Sequence, residues 1–219
     1  MDSRAWLQRQ KQDVYARQAR KKGYLNRASF KLLQIQERDR LINAGMTIMD
    51  LGAAPGGWLQ VLVELMHQSS STGRPGSKIA SKIVALDRLP LQLTLPEVHF
   101  VQGDFTQQQD LNRLLDCMQR QQIHQFDLVL SDMAPNTSGI RMVDQCESMY
   151  LAELARDFCL HYLRVGGNFL VKVFEGEGLA AYRKDLQQHF AKVVSRKPKA
   201  SRPESRERYL LACSKRAVN

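Results

Sequence analysis

The stretch "MDLGAAPGGW", residues 49–58, decides the fold class of this 219-residue chain. An apolar run ends at an acid, Asp50, and then breaks into three glycines, a proline and two alanines. Such residues pack poorly but let the backbone approach a ligand closely. Because Gly56 and Gly57 open a helical segment, the pattern predicts a strand, a turn and a helix. In α/β proteins this turn commonly binds a nucleotide-like ligand.

Short apolar runs alternate with helical segments along the rest of the chain. The candidate strands are "MTIMDLG", "KIVALD", "EVHFVQGD", "FDLVLSD" and "GNFLVKVF", and helices are predicted after Gly56, Thr106, Gln145 and Gly178. Two further strands, "HFAKVVSRK" and "RYLLACSK", follow one another with no helix between them. The alternation predicts an α/β fold with a mostly parallel, doubly wound sheet, and the last two strands predict an antiparallel pair at one edge.

Two helices are predicted before the first strand, a basic one and an amphipathic one. The segment "RASFKLLQIQERDRLI" repeats apolar residues at helical spacing, and Gly45 is predicted to cap its end. We therefore divide the chain into a basic helical extension, residues 1–44, and an α/β domain, residues 45–219. The polar loop at residues 68–82 has no predicted role.

The positive charge is concentrated at the two ends of the chain. Residues 1–44 hold 11 Lys and Arg against 4 Asp and Glu, residues 192–219 hold 9 against 2, and residues 45–191 hold 12 against 16. Each end thus carries a net charge of +7 and the middle carries −4, within a total of +10. Such ends are expected to meet nucleic acid, although the same charge would also serve solubility alone.

Several classes of protein are disfavoured by the sequence. No run approaches the roughly 20 apolar residues that a membrane-spanning helix needs. The Arg-rich start lacks an apolar signal-peptide core, and Asp2 and Asp13 argue against a transit peptide, so the cytoplasm is the expected location. The four cysteines include no CxxC pair, so neither a metal site nor a disulfide framework is predicted. Nothing requires more than a monomer.

Acidic residues end four of the candidate strands. They are Asp50, Asp87, Asp104 and Asp132. Because the carboxyl ends of parallel strands share one edge of a sheet, these side chains are expected to surround the turn that begins at Gly52. A single aspartate at a strand end is more often a helix N-cap. Four at one edge favour a ligand site.

The glycine spacing and the acids discriminate between two nucleotide-like ligands. A dinucleotide carries a pyrophosphate, which favours a G-x-G-x-x-G turn and is repelled by carboxylates. Here Gly52 is followed by Ala-Ala-Pro-Gly-Gly, so the pattern fails and a nicotinamide dehydrogenase is disfavoured. S-adenosylmethionine carries a sulfonium cation and no phosphate, and Asp87 stands where an acid commonly binds ribose hydroxyls. S-adenosylmethionine is therefore the predicted cofactor.

Six segments in order resemble the FtsJ/RlmE family of ribosomal RNA ribose 2′-O-methyltransferases. They are "MDLGAAPGGW", "LDRLP", "QGDF", "SDMAPNTSG", "GGNFLVKVFEGEG" and "SRPESRERYLLA", and the similarity runs from about Tyr15 to Lys215. The resemblance implies a Rossmann-like methyltransferase fold with an antiparallel last strand, and a uridine of large-subunit ribosomal RNA as substrate. It places cofactor contacts on Gly56, Trp58, Asp87, Asp104 and Asp132. Asp50 and Gly52 of the turn are also predicted to contact the cofactor. The resemblance places a catalytic set on Lys31, Asp132, Lys172 and Glu207.

One member of that set is conspicuous without the resemblance. Lys172 lies inside the apolar run "NFLVKVF", where a charge is costly unless it has a partner. It is expected to meet Asp132 at the end of the neighbouring strand, and a purely structural ion pair is the alternative. Lys31 and Glu207 carry no such signal, because a lysine on a basic helix and an acid among arginines are ordinary surface residues.

Methyl transfer from a sulfonium is an in-line displacement, so the protein must align the acceptor oxygen with the methyl carbon and assist departure of the hydroxyl proton. Lys172 acts as the base if burial and the charge of Lys31 favour its neutral form. If the attraction of Asp132 dominates, Lys172 instead orients the hydroxyl or stabilises negative charge. The sequence leaves both roles open.

The basic ends are expected to converge on RNA, because both flank the sheet. The predicted function is 2′-O-methylation of a uridine in large-subunit (23S-type) ribosomal RNA on the ribosomal subunit, with residues 1–44 in contact with RNA. Two alternatives stay open: the same reaction on tRNA or another RNA, and a non-catalytic ribosome assembly factor. The presence of Lys172 in an apolar strand argues against the second.

Overall fold

A computed structural model describes residues 13–70 and 81–217, which form one sheet covered by helices. The strands are β1 (Thr47–Leu51), β2 (Lys82–Asp87), β3 (Val98–Gln102), β4 (Phe126–Ser131), β5 (Leu163–Phe174), β6 (Phe190–Arg196) and β7 (Glu207–Lys215). The helices are α1 (Val14–Lys22), α2 (Ala28–Asp39), α3 (Gly57–Ser70), α4 (Gln108–Arg120), α5 (Arg141–Tyr162) and α6 (Leu179–His189). Helix α5 begins four residues before Gln145, after which it was predicted to begin.

The strands are ordered β3-β2-β1-β4-β5-β7-β6. Strands β1 to β5 pair in parallel, and β7 lies between β5 and β6, antiparallel to both. The predicted doubly wound sheet with an antiparallel last strand is confirmed. The sheet begins with β1, winds outward to β3 and returns to β4. The crevice between β1 and β4 is therefore the switch point where such sheets bind ligands.

The sheet is buried on both faces, which explains why its strands are almost continuously apolar. In β4, Leu128 and Leu130 point into one core, with α2 and α3, while Val129 points into the other, with α4, α5 and α6. This alternation is the two-residue period of a strand. Helices on both faces hold the strand ends, and hence the candidate site, in a fixed arrangement.

The N-terminal helices begin and end at defined caps. The carboxylate of Asp13 accepts a hydrogen bond from the Ala16 amide at the start of α1. Helix α2 ends at Arg40, which adopts a left-handed conformation (φ 50°), so the predicted cap at Gly45 is wrong. The side chain of Gln36 closes the helix instead, because its amide exchanges two hydrogen bonds with the backbone of Ile42.

Helix α2 packs directly on the sheet. Leu32 and Ile35 are buried in the same apolar cluster as Ile48 of β1. The domain boundary at residue 44 stays a prediction.

Most of the loop at residues 68–82 lies outside the described residues. Within residues 13–70 and 81–217, we find no helix long and apolar enough to cross a membrane.

Candidate active site

A cavity of about 530 Å³ opens at the carboxyl ends of the parallel strands. Its walls include Gly52 after β1, Asp87 at the end of β2, Asp104 after β3, Asp132 after β4 and Lys172 on β5. The parallel register brings these residues together from five separate parts of the chain. The volume lies within the range typical of small-molecule sites.

Gly52 lines this cavity at a position where a side chain would clash with a neighbouring turn. Its φ is +82°, and a Cβ atom at this position would lie 2.7 Å from the backbone nitrogen of Met133. The Gly52 amide donates a hydrogen bond to the Leu86 carbonyl at 2.9 Å. The turns that follow β1 and β4 can therefore approach each other only when residue 52 carries no side chain.

The other glycines of the turn face away from the cavity. A Cβ atom on Gly57 would lie 2.5 Å from the side-chain oxygen of Asn26, and one on Gly56 would lie 2.7 Å from a leucine side chain. The indole N–H of Trp58 donates to the Ala28 carbonyl at 2.9 Å. Gly57 and Trp58 thus join the start of α3 to the start of α2, whereas Gly56 packs against the loop that follows β2. The predicted cofactor contacts of Gly56 and Trp58 stay predictions.

Asp87 is oriented by the backbone on either side of the cavity. Its two carboxylate oxygens accept hydrogen bonds from the amides of Ala54, at 2.9 Å, and Leu89, at 2.8 Å. A carboxylate oxygen has lone pairs for more than one donor. Asp87 is thus fixed at the cavity wall and retains the capacity to bind ligand hydroxyls.

Asp104 is a fixed carboxylate of the same kind. Its Oδ1 accepts hydrogen bonds from the amide and the hydroxyl of Thr106, at 2.9 and 2.8 Å. Burial alone would raise the pKa of Asp104, but these hydrogen bonds and the nearby Arg88 guanidinium lower it below its ordinary value. The group is therefore an ionised acceptor at neutral pH.

Lys172 and Asp132 form an ion pair at the edge of the cavity. The Lys172 Nζ lies 3.1 Å from Asp132 Oδ1 and also donates to the main-chain oxygen of Asp132. The Tyr209 hydroxyl donates to the same Oδ1 at 2.7 Å. Burial favours the neutral acid, but the charges of Lys172 and Lys31 and the Tyr209 hydrogen bond hold the pKa of Asp132 below its usual value. Asp132 is thus a partly buried carboxylate that is ionised at neutral pH.

A second ion pair lies beside the first. The Lys31 Nζ is 2.6 Å from Glu207 Oε2, and the Ser201 hydroxyl donates to Glu207 Oε1 at 2.8 Å. The same ammonium lies 5.9 Å from the centre of the Tyr209 ring, within reach of a cation–π interaction. All four residues of the predicted catalytic set are therefore brought together around Tyr209. Their roles in the reaction stay predictions.

Tyr209 and Ser201 are members of this cluster that we did not predict. Tyr209 could have been found, because it follows Glu207 by two residues in a strand and so shares its face of the sheet. It is also paired with Lys172 in the register of β5 and β7. Ser201 lies in an irregular loop, and nothing in the sequence connects it with Glu207.

Asp50 lies next to the cavity but contacts no ligand-accessible space. Its side chain is fully buried, and neither carboxylate oxygen has a hydrogen-bond partner among the described residues. Burial, followed by the charges of Asp132 and Asp87, raises the pKa of Asp50 well above its ordinary value. The predicted cofactor contact of this residue stays a prediction.

The Asp50→Asn variant is expected to gain stability over the parent protein as the pH rises. A carboxyl with a raised pKa in the folded state binds more protons there than in the unfolded state, so it lowers stability progressively above about pH 4. We therefore expect the stability of Asp50→Asn relative to the parent protein to increase from pH 5 to pH 8.

Urea unfolding at both pH values measures this gain. The control is Asp116→Asn, at an exposed position of α4, which is expected to keep the pH dependence of the parent protein. A difference between the Asp50 variant and the parent that does not change with pH would contradict a raised pKa.

Comparison with known proteins decides the family. The sequence model of the FtsJ-like methyltransferases matches residues 24–215. The chain belongs to the FtsJ-like methyltransferase family. It is 55% identical over 210 residues to the ribosomal RNA large subunit methyltransferase E of Alkalilimnicola ehrlichii, covering 96% of this chain and 93% of that protein. It is 48% identical to the protein of the same name from Pseudomonas aeruginosa PAO1, covering 96% of this chain and 94% of the relative.

Solved structures agree on the fold of this FtsJ-like methyltransferase. A ribosomal RNA methyltransferase from Plasmodium falciparum superposes with a TM-score of 0.75 at 24% identity, covering 89% of this chain and 100% of that one. Fibrillarin from Aeropyrum pernix, solved with S-adenosylmethionine, has a TM-score of 0.51 at 13% identity, covering 84% and 73%. At these identities the likeness concerns the fold alone.

Proposed function

We propose that this FtsJ-like methyltransferase transfers a methyl group from S-adenosylmethionine to the 2′-hydroxyl of a uridine in large-subunit ribosomal RNA, on the ribosomal subunit. The names of its relatives support the class of RNA. The observation that carries the reaction type is the Lys172–Asp132 pair at the edge of the cavity. A buried lysine with a carboxylate partner, facing open space, is suited to contact an acceptor hydroxyl.

The cavity residues fit S-adenosylmethionine, which supplies an activated methyl group on a sulfonium cation. The lining holds four carboxylates against two cations, Arg88 and Lys172, which suits a positively charged ligand better than a pyrophosphate. Asp87 and Asp104 would hold the ribose hydroxyls and N–H donors of the adenosine, since both are fixed hydrogen-bond acceptors. Gly52 would let the ligand lie close to the backbone.

Lys172 is assigned to the acceptor oxygen rather than to proton removal. Lys172 is the cationic partner of the Asp132 carboxylate, which lies 3.1 Å from its Nζ. Lys31, the second cation, is itself paired with Glu207. An ammonium at this position orients the 2′-hydroxyl and stabilises the negative charge that develops on its oxygen, while the hydroxyl proton passes to solvent water.

The two basic ends of the chain meet beside this site. The Arg27 Nε donates to the Ala200 carbonyl at 3.2 Å, and the Ala200 amide donates to the Gln34 side chain at 3.0 Å. These contacts attach the C-terminal basic loop, residues 197–206, to α2. Lys197 and Lys199 on that loop are exposed, as are the basic residues that end α1. We assign this joint surface to the phosphates of the RNA strand.

Replacing Arg20, Lys21 and Lys22 together with alanine is expected to weaken RNA binding and to flatten its salt dependence. Each lost phosphate contact lowers the slope of log affinity against log salt by about one unit. Filter binding to large ribosomal subunits at several salt concentrations measures this slope. A matched pair of charge removals, Arg120→Ala and Lys184→Ala on helices α4 and α6 of the other face, should leave it unchanged. An unchanged slope in the triple variant would assign these charges to solubility.

The reaction itself is tested with labelled S-adenosylmethionine and large subunits from a methylation-deficient strain. We expect label in one ribosomal RNA nucleotide, mapped as a 2′-O-methyl uridine. Label in tRNA and none in subunits would replace the proposed substrate. No label in either, with RNA binding intact, would favour a non-catalytic assembly factor.

A further inference from the structure

A second groove, of about 600 Å³, lies beside the donor cavity. Its walls come from α5 between Arg141 and Glu153, from the turn at residues 176–178 that follows β5, and from Arg206 just before β7. Tyr150 lines both this groove and the donor cavity. The two spaces therefore share a wall at Tyr150.

The exposed lining of the groove combines apolar side chains and an aromatic ring with two carboxylates, Glu153 and Glu177. Tyr150 is 51% exposed and Met142 is 72% exposed. Ile140 and Val143, next to them, are also large apolar side chains that face solvent. An exposed aromatic ring with a neighbouring methionine can stack on the flat face of any nucleobase. A contiguous exposed apolar patch of this kind commonly marks a binding surface.

Two arginines offset the charge of these carboxylates and bring N–H donors to the groove. The Arg206 guanidinium lies 5.6 Å from the centre of the Phe174 ring, and its Nη1 is 3.4 Å from the side-chain oxygen of Gln145. Arg141 lines the same groove. A guanidinium has five N–H donors in a planar arrangement, so groups remain for a phosphate or for a base edge. Arg206 also adjoins Glu207 of the catalytic set.

The groove is held open by packing beneath its apolar wall. The buried Gln145 amide donates to the carbonyls of Phe174, at 3.2 Å, and Glu177, at 2.9 Å. A Cβ atom on Gly176 would lie 2.6 Å from the Gln145 side chain. These contacts fix the turn after β5 against α5. A ligand therefore meets a preformed site, as is usual for small-molecule pockets.

We propose that this groove binds a nucleobase of the RNA strand that carries the acceptor ribose, with the base stacked on Tyr150 and the adjoining phosphate at Arg206 and Arg141. The inference rests on the proposed function and deepens it, because it places the substrate strand across the wall shared with the donor cavity. A protein partner would also cover apolar residues. The two arginines and the shared wall favour the nucleotide.

Photocrosslinking identifies the class of ligand directly. Met142→p-benzoylphenylalanine places a crosslinking group on an exposed groove residue that does not line the donor cavity. On irradiation with large ribosomal subunits we expect an adduct with the ribosomal RNA segment that contains the methylated nucleotide. The control is Val165→p-benzoylphenylalanine, exposed at the opposite end of β5. An adduct with a ribosomal protein instead, or the same RNA adduct from the control, would overturn the proposal.

Kinetics test the stacking. Tyr150→Ala is expected to raise the KM for large subunits about tenfold or more, since stacking on an aromatic ring contributes substantially to binding each base. Tyr150→Phe keeps the ring and should stay within about twofold of the parent protein. Arg206→Ala should raise the same KM, while its affinity for S-adenosylmethionine, measured by calorimetry without RNA, stays unchanged.

The outcomes separate this inference from the proposed function. If the parent protein methylates no RNA, the proposed function fails. If the parent is active and Tyr150→Ala has an unchanged KM for subunits, the groove does not bind a base. An equal rise in the KM for subunits in Tyr150→Phe also overturns the stacking role. So does an effect of Tyr150→Ala that is confined to the affinity for S-adenosylmethionine.

Discussion

Replacing Lys172 with alanine is expected to lower the rate of methyl transfer by at least about 1,000-fold, within the range for loss of a group that acts on the transferred proton or its oxygen. The ammonium is one of the two cations lining the donor cavity and the partner of Asp132. Its loss removes the group that we assign to the acceptor oxygen. Calorimetry should still detect S-adenosylmethionine binding, because the carboxylates to which we assign the adenosine, Asp87 and Asp104, remain. Undiminished single turnover would contradict the assignment.

Lys215 provides a matched control because it is buried to the same extent. Both lysines are 8% exposed and both lie on strands of the sheet. The Lys215 Nζ donates to the carbonyls of Leu160 and Leu163, at 2.5 and 2.7 Å, where α5 ends. Lys215→Ala should therefore lower the unfolding temperature but leave the rate per folded molecule close to that of the parent protein.

Two further substitutions distinguish the chemical roles of Lys172. Lys172→Arg keeps a cation that can donate to the acceptor oxygen, so we expect measurable turnover, whereas Lys172→Gln should be as inactive as the alanine variant. Arginine stays protonated in proteins and cannot serve as a base. An arginine variant as inactive as alanine, together with a parent rate that rises with pH, would therefore assign proton removal to the lysine.

The comparison of the two lysines shows how far the sequence could predict the site. Lys172 was identified because it interrupts an apolar run and faces a strand that ends in Asp132. Lys215 is equally buried, but it lies near the end of its strand, where a charge gives no such signal. Lys31 and Glu207 meet across 176 residues of chain, and only the resemblance to a family placed them together. Contacts of this range depend on tertiary packing rather than on local pattern.

The fold was predictable to a similar degree. Strand and helix periods revealed the parallel sheet, since apolar strands and amphipathic helices differ in their repeat. The sequence alone did not reveal that β7 inserts between β5 and β6, because strand order is set by packing. The end of α2 was also missed. There, Gln36 and Arg40 close the helix in a way that composition does not indicate.

Replacing Gly52 with alanine is expected to affect both stability and cofactor binding strongly. The left-handed backbone costs an alanine about 1–2 kcal/mol, and the added Cβ atom would lie 2.7 Å from the backbone nitrogen of Met133. A backbone atom cannot rotate away as a side chain does, so the turns after β1 and β4 must separate. We expect a loss of about 3 kcal/mol or more in the free energy of unfolding, and affinity for S-adenosylmethionine lower by about 100-fold.

Gly139 separates the steric effect from the backbone effect. Its φ is +85°, close to the +82° of Gly52, but a Cβ atom there has nothing within 4 Å. Gly139→Ala should therefore cost only the backbone term of about 1–2 kcal/mol and leave cofactor affinity unchanged. Urea unfolding and calorimetry on both variants measure the two differences. If they lose equal stability and Gly52→Ala still binds S-adenosylmethionine normally, the close approach of Met133 does not shape the donor site. If only Gly52→Ala loses binding, the close approach of residue 52 to Met133 shapes the donor site. Gly56 and Gly57, the other glycines of residues 49–58, pack against other parts of the chain.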